Sequence, residues 1–288
     1  MSNTFVRITE VGPRDGLQNE AVFIPTSLKL DFIRALANSG LHSIEATSFV
    51  SEKWVPQMAD HQAVLQGLDL QQSVRYPVLV PNLYGLTQAI ACGVKDIAVF
   101  TSTSNTFSQK NTNSTLAQSL ETIQRITTQA TQQGIWVRAY ISCAFTCPYE
   151  GSIAPQQVTA VANELNKHGI DEIALGDTVG SGTPETTNTL LQQLLNDIDC
   201  NRIAVHFHDT QGRALANISV ALEHGIRSID SAAGGLGGCP YAPGASGNVA
   251  TERVIAHLNQ LGYQTGVDAT KVTQASDLIQ HYLRQHRT

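Results

Sequence analysis

"TSLKLDFIRALANSGLHSIEATS" occupies residues 26–48 and holds one complete helix-to-strand unit. Thr26 or Ser27 can cap a helix with its hydroxyl, and Leu30, Ile33, Leu36 and Ala37 fall on one face at helical spacing. Gly40 then stops the helix, because glycine readily takes the left-handed conformation that ends one. The run "LHSIEATS" that follows reads as a strand. The same junction recurs at Gly93-Val94, Gly134-Ile135, Gly169-Ile170 and Gly225-Ile226. Around these junctions lie eight strand candidates: "FVRITEV", "LHSIEATS", "RYPVLVP", "VKDIAVFTS", "IWVRAYISCA", "IDEIALGD", "RIAVHFHD" and "IRSIDSAA". Each is followed by a helix-capable stretch. Strict alternation means parallel strands with right-handed crossovers. Eight such units within 288 residues predict an α/β fold, a closed (β/α)8 TIM barrel. An open doubly wound sheet would show a Gly-rich phosphate loop after its first strand, and "EVGPRDGLQNE" is not one. The barrel is expected over residues 4–262, with an additional C-terminal helical segment over 267–286 packed outside it. Residues 1–288 are read as a single catalytic domain, since no linker or low-complexity tract divides them.

Apolar residues make up 42% of the chain, yet no window approaches the ~20 uninterrupted apolar residues that span a bilayer. The start, "MSNTFVRITEVGPRDG", lacks a basic end followed by an apolar core, so a cytoplasmic location is expected. The net charge of −6 without any Lys/Arg run argues against a nucleic-acid surface. An anionic small molecule stays possible, because a few local cations outweigh a weak global charge. Cysteines at 92, 143, 147, 200 and 239 are odd in number and irregular in spacing, which suits a reducing compartment rather than a disulfide framework.

In such barrels chemistry sits where strands end and the following loops begin. Those positions carry Arg14, Asp15, Gln18 and Asn19 after the first strand, then Glu45, Thr47 and Ser48 on the second. The fifth brings Arg138 and Tyr140, the sixth Asp177-Thr178 and the seventh His206-Phe207-His208-Asp209. Residues two apart on a strand share a face, so both imidazoles should project into the barrel mouth. With a carboxylate from Asp15 they make a site for a hard or borderline divalent cation. Glu45 and Asp177 fall inside strand ends, where an unpaired buried carboxylate is costly, so each is expected to have a cation or hydrogen-bond partner nearby. The last loop, "GLGGCPYAPGASGNVATE" over 235–252, places a thiol, Cys239, among five glycines and two prolines, far more flexibility than a connection needs.

These blocks closely resemble the hydroxymethylglutaryl-CoA lyase family, divalent-metal lyases of the (β/α)8 class. The likeness runs through "ITEVGPRDGLQNE", "IEATSFVSEKWVPQMADH", "RAYISCAFTCPYEG", "ALGDTVGSGTP" and "VHFHDTQGRALAN" to the cysteine loop. The resemblance implies metal ligands Asp15, His206, His208 and Asn248. It implies catalytic residues Arg14, Asp15, Glu45, Asp177, His206 and Cys239, with Glu252 in support. Arg14, Gln18, Ser48, Lys110, Asn111, Arg138 and Tyr140 correspond to positions along the acyl and CoA path. Pro243 stands where the family often has glutamine. The C-terminus, "HYLRQHRT", has neither a peroxisomal tripeptide nor the terminal cysteine of some members, and no mitochondrial leader precedes the barrel.

The activity implied is cleavage of 3-hydroxy-3-methylglutaryl-CoA to acetyl-CoA and acetoacetate, as in leucine degradation or ketone-body formation. The implied cofactor is a divalent ion, Mg²⁺ or Mn²⁺. The implied partners are an acyl-CoA thioester substrate and a second copy in a homodimer, with no nucleic acid and no membrane. In this reading Arg14 stabilises the thioester enolate, Cys239 protonates its carbon, and a nearby carboxylate or histidine takes the hydroxyl proton. Two other activities fit the same residues: a lyase for a bulkier 3-hydroxy-3-alkylglutaryl-CoA, and a Claisen-condensing synthase of the wider superfamily.

Overall fold

A computed structural model describes residues 4–71, 73–237 and 247–286. Eight strands line a barrel: β1 (Arg7–Glu10), β2 in two segments (Ser43–Ile44 and Thr47–Ser48), β3 (Val78–Leu79) and β4 (Asp96–Ser102). They continue as β5 (Trp136–Ser142), β6 (Glu172–Asp177), β7 (Ile203–Phe207) and β8 (Ser228–Ser231). Every pairing is parallel and joins neighbours in chain order. β8 returns to β1, with Arg7 opposite Ser228 and Glu10 opposite Ser231. The two segments of β2 pair with opposite neighbours, β1 and β3, and so close the ring. All eight expected strands are present.

The helices follow as the alternation requires: α1 (Thr26–Ala37), α2 (His61–Gln66), α3 (Leu83–Ala91), α4 (Asn105–Thr112) and α5 (Leu116–Gln132). The second half adds α6 (Pro155–Lys167), α7 (Pro184–Leu194), α8 (Ala214–Glu223), α9 (Thr251–Gln260) and α10 (Ala269–His286). The five glycines marking helix-to-strand junctions all have φ between 68° and 93°, the left-handed region where a side chain would be strained. α10 packs across α1 and α9 through Val272, Ala275, Ile279 and Leu283, outside the barrel.

Two features escaped the sequence. A small antiparallel hairpin joins Thr146–Cys147 to Gly151–Ser152 after β5. And β2 is bulged: Ser43 pairs with Arg75 while Thr47 pairs with Val78, so four steps along one strand face three along the other. Glu45 N–H donates to the Glu10 carbonyl at 2.8 Å and Ala46 N–H to the Pro77 carbonyl at 3.0 Å, dividing the strand between its neighbours at that point.

Most of the apolar core lies between sheet and helices, where Phe32, Ile33 and Leu36 of α1 and Leu190, Leu191 and Leu194 of α7 are buried. The interior of the barrel is different. Its apolar lining is the small cluster Leu79, Ala98, Tyr140, Ala174 and Ala204, with Phe100 against it. Among the described residues no helix is long and apolar enough to cross a membrane.

Candidate active site

Beyond β1 the chain makes one widened helical turn over Gly12–Gly16. Gly16 N–H reaches the Val11 carbonyl at 3.1 Å and Leu17 N–H the Gly12 carbonyl at 3.0 Å, both five residues back. Such turns recur at functional sites because they rotate side chains out of ordinary helical register. The bracketing glycines are forced. A Cβ on Gly12 would sit 2.6 Å from Glu10 Oε1, and one on Gly16 would sit 2.8 Å from Leu236 Cβ. Glu10 itself ties the region down. Its Oε1 accepts from Gly12 N–H and Ala233 N–H, both at 2.8 Å, and its Oε2 accepts from the Thr251 hydroxyl at 2.6 Å. Burial pushes this carboxyl up to about 7 despite those bonds.

The turn presents Arg14 and Asp15 to the barrel mouth. Arg14 Nη1 donates to Asp15 Oδ1 at 2.6 Å, and its Nε and Nη2 lie 2.8 and 2.7 Å from Glu45 Oε2. Tyr140 donates its hydroxyl to the same Glu45 oxygen at 3.1 Å, and its ring lies under both Arg14 and Arg138. Among the described residues, the buried Glu45 Oε1 has no hydrogen-bond partner. Gln18 Nε2 donates to Asp15 Oδ1 at 2.9 Å. On the far side, His206 Nε2 lies 3.9 Å from Asp15 Oδ2, and the His206 and His208 rings are 5.6 Å apart centroid to centroid.

The electrostatics follow from that packing. Burial alone would raise the Asp15 carboxyl, but Arg14, His206, His208 and the Asn248 hydrogen bond together hold it well below the usual carboxylate range. Burial raises Glu45, only partly offset by Arg14. Burial and the neighbouring His206 push His208 down to about 4, against the pull of Asp15. His208 is therefore neutral near pH 7, and its buried Nδ1 has no partner among the described residues. Ligand atoms of Asp15, His206 and His208 all lie within 4.8 Å of one another. One ionised carboxylate, two imidazoles and an unpartnered ring nitrogen form a donor set that fits a divalent cation.

The other expected residues are distributed unevenly. Asn248 reaches the cluster through its amide nitrogen, donating to Asp15 Oδ2 at 2.7 Å and to the Leu236 carbonyl at 3.2 Å. To ligate an ion it must offer Oδ1, which requires the amide to turn over. Ser48 is buried beside β3, its hydroxyl 3.4 Å from the Leu79 carbonyl. Asp177 clamps its own loop, accepting from Ser181 N–H at 3.1 Å and Gly182 N–H at 2.8 Å, and burial raises its carboxyl. Glu252 accepts from Gly234 N–H with both oxygens at 3.0 Å, at the base of the cysteine loop and apart from the Arg14 cluster. Lys110 and Asn111 lie exposed on α4, with the Lys110 ammonium 4.3 Å over the Tyr149 ring. Cys239 and Pro243 fall outside the described residues.

Arg138 departs from its expected place on the acyl path. It is 1% exposed and sits below Tyr140. Its Nη2 donates to Asp230 Oδ1 at 2.6 Å, and its Nε lies 3.2 Å from Glu172 Oε2. The guanidinium is committed to two interior carboxylates. Asp230 is the residue that sequence reasoning missed. Its Oδ2 lies 3.1 Å from His206 Nδ1, and the available signal was an acidic residue in the otherwise buried strand "SIDS".

Comparison with known proteins adds an independent line. A family model described as HMGL-like matches residues 5–279. The chain is 54% identical over 275 residues to the cytoplasmic 3-hydroxy-3-methylglutaryl-CoA lyase of Rattus norvegicus, covering 96% of this chain and 80% of that protein. The crystal structure of the HMG-CoA lyase from Brucella melitensis superposes with a TM-score of 0.95 at 45% identity, covering 97% of this chain and 99% of that one. An HMG-CoA lyase from Acinetobacter baumannii, solved with coenzyme A and 3-methylmalate, superposes with a TM-score of 0.93 at 35% identity, covering 99% of this chain and 93% of that one.

Proposed function

The chain belongs to the HMGL-like family, and from that premise we propose that it is a carbon–carbon lyase cleaving 3-hydroxy-3-methylglutaryl-CoA to acetyl-CoA and acetoacetate. The observation that carries the reading is the convergence of Arg14 and Asp15, from the turn after β1, with His206 and His208 at the end of β7. A divalent ion held by Asp15, His206, His208 and Asn248, Mg²⁺ or Mn²⁺, would supply Lewis-acid polarisation of the substrate oxygens.

The chain's own residues account for the remaining demands. Cleavage of the C2–C3 bond leaves an electron pair on C2 that delocalises onto the thioester oxygen. Arg14 is a permanent cation fixed in orientation by Glu45 and Asp15, so it meets that charge without reorganising. The proton leaving the C3 hydroxyl goes to a rim carboxylate or imidazole, among which Glu45 offers a buried oxygen with no competing donor among the described residues. Cys239 delivers the proton that completes acetyl-CoA, on a loop whose ends return to Glu10 through Ala233 and Thr251. Asp177 and Glu252 hold the loops around the mouth. Gln18, Ser48, Tyr140, Lys110 and Asn111 are assigned to the substrate path, where the Lys110 ammonium suits the phosphates of the CoA moiety.

The deciding experiment is a coupled assay for acetoacetate release from the thioester, with and without EDTA. Release that stops on chelation and returns with Mg²⁺ or Mn²⁺ supports the assignment. Release unaffected by chelation removes the cation, and absence of release removes the activity. Cys239→Ala is expected to lower turnover by orders of magnitude while Mn²⁺ binding persists. The proposed cytoplasmic location and homodimer rest on likeness to the family, and sedimentation velocity tests the dimer.

A further inference from the structure

We propose that Asp230 and Arg138 are positioning residues that set the tautomer of His206, and through it the basicity of the cation site. Inside the barrel, Arg138 of β5, His206 of β7 and Asp230 of β8 meet. Arg138 Nη2 lies 2.6 Å from one oxygen of Asp230, and His206 Nδ1 lies 3.1 Å from the other. Both contacts are buried, with Asp230 1% exposed. Glu172 takes the opposite edge of the guanidinium and is shared with Arg7 at the lower rim. A carboxylate paired with a guanidinium is ionised and can only accept hydrogen bonds. The proton in the contact with His206 must therefore sit on Nδ1. In the neutral ring that places the lone pair on Nε2, the nitrogen that faces Asp15 Oδ2 at 3.9 Å and belongs to the three-residue donor set. Imidazole ligands commonly donate their second nitrogen in this way, which fixes the ring and raises its donor strength.

Arg138 determines the direction of the whole chain of contacts. Replace Asp230 by asparagine, and the guanidinium, which is donor-only, selects the amide oxygen. The amide NH₂ must then face His206 Nδ1, which can pair with it only as an acceptor. The ring proton moves to Nε2, and the lone pair aimed at Asp15 disappears. Shape and volume are almost unchanged, so the substitution reverses a tautomer without opening a cavity.

The inference rests on reading Asp15, His206 and His208 as a cation site, and its test keeps the two apart. In full-length, EDTA-treated protein at neutral pH, ¹⁵N NMR assigned by loss of the signal in His206→Gln is expected to show His206 protonated on Nδ1. Asp230→Asn is expected to show Nε2 protonated, with native circular dichroism and Mn²⁺ affinity weakened at least about tenfold. An Nε2-protonated ring in the wild type overturns the proposal even if the variant fails to fold. So does an Asp230→Asn protein that binds Mn²⁺ within twofold of wild type. Wild-type protein that binds no Mn²⁺ instead sinks the cation site itself, and the relay with it.

Discussion

The two faces of the barrel wall are built from different chemistry. Outside, toward the helices, the sheet presents valine, isoleucine and leucine, and these side chains are almost wholly buried. Inside, the lining narrows to small apolar residues around Tyr140, and the space is filled by Arg14, Arg138, Glu45, Asp15, Glu172 and Asp230. Barrels of this class usually fill their interiors with bulky branched side chains. Here the outer layer carries stability and the inner layer carries charge. Burying ions costs more than it returns unless every charge is paired, and the pairing inside this barrel is close to complete.

That contrast can be broken most forcefully at Arg14. Arg14→Ala is expected to lower turnover at saturating substrate by about 10³-fold, the scale of losing a fixed cation at a developing charge. A rise confined to KM would instead mark Arg14 as a uniform binding residue. The same substitution should also lower stability, because Glu45, 0% exposed, loses its guanidinium. Leu194→Ala, on the outer face, should do the reverse. Removing a wholly buried leucine costs about 2–5 kcal/mol, read as a lower urea midpoint, with turnover per folded molecule unchanged.

Glu10 sharpens the contrast through pH. Its carboxyl titrates at about 7 in the fold against an ordinary value of 4.5, so between those limits the folded state holds a proton that the unfolded state has released. Stability associated with Glu10 is fully present at acid pH and is lost as pH rises through that window. The difference is about 3 kcal/mol. Glu10→Gln should abolish this part of the pH dependence, because an amide can keep its oxygen on Gly12 and Ala233 and donate to Thr251. Parallel pH profiles for variant and wild type would refute it. Tyr140→Phe should have the smallest effect, about 1 kcal/mol in kcat/KM, since Glu45 keeps both Arg14 contacts when the hydroxyl is removed.

The architecture was legible because its signals are local. Gly40, Gly93, Gly134, Gly169 and Gly225 end helices for a backbone reason that needs no tertiary context, and their φ values bear it out. His206 and His208 were placed together by strand alternation alone, and Asp15 by its position at a strand end. What stayed hidden depends on distance. Asp230 is an ordinary acidic residue until folding brings Arg138 from 92 positions away. Arg138 was drawn to the acyl path because nothing local shows that a strand arginine points into a layer of carboxylates rather than up at the mouth. The duties of Asp177 and Glu252 as loop clamps depend on backbone N–H groups whose directions only the folded turn defines.

The irregularity in β2 has a consequence of its own. Glu45 and Ser48 are three positions apart, an odd interval that in an unbroken strand would send them to opposite sides of the wall. The extra residue cancels that parity. Glu45 meets Arg14, while Ser48 stands level with Leu79 of the inner lining. One strand thus delivers two polar groups to the same chamber. Straightening the strand with every residue kept would act on the protein as a frameshift acts on a gene: every residue past the bulge would be read onto the wrong side, and the serine would be turned out among the helices.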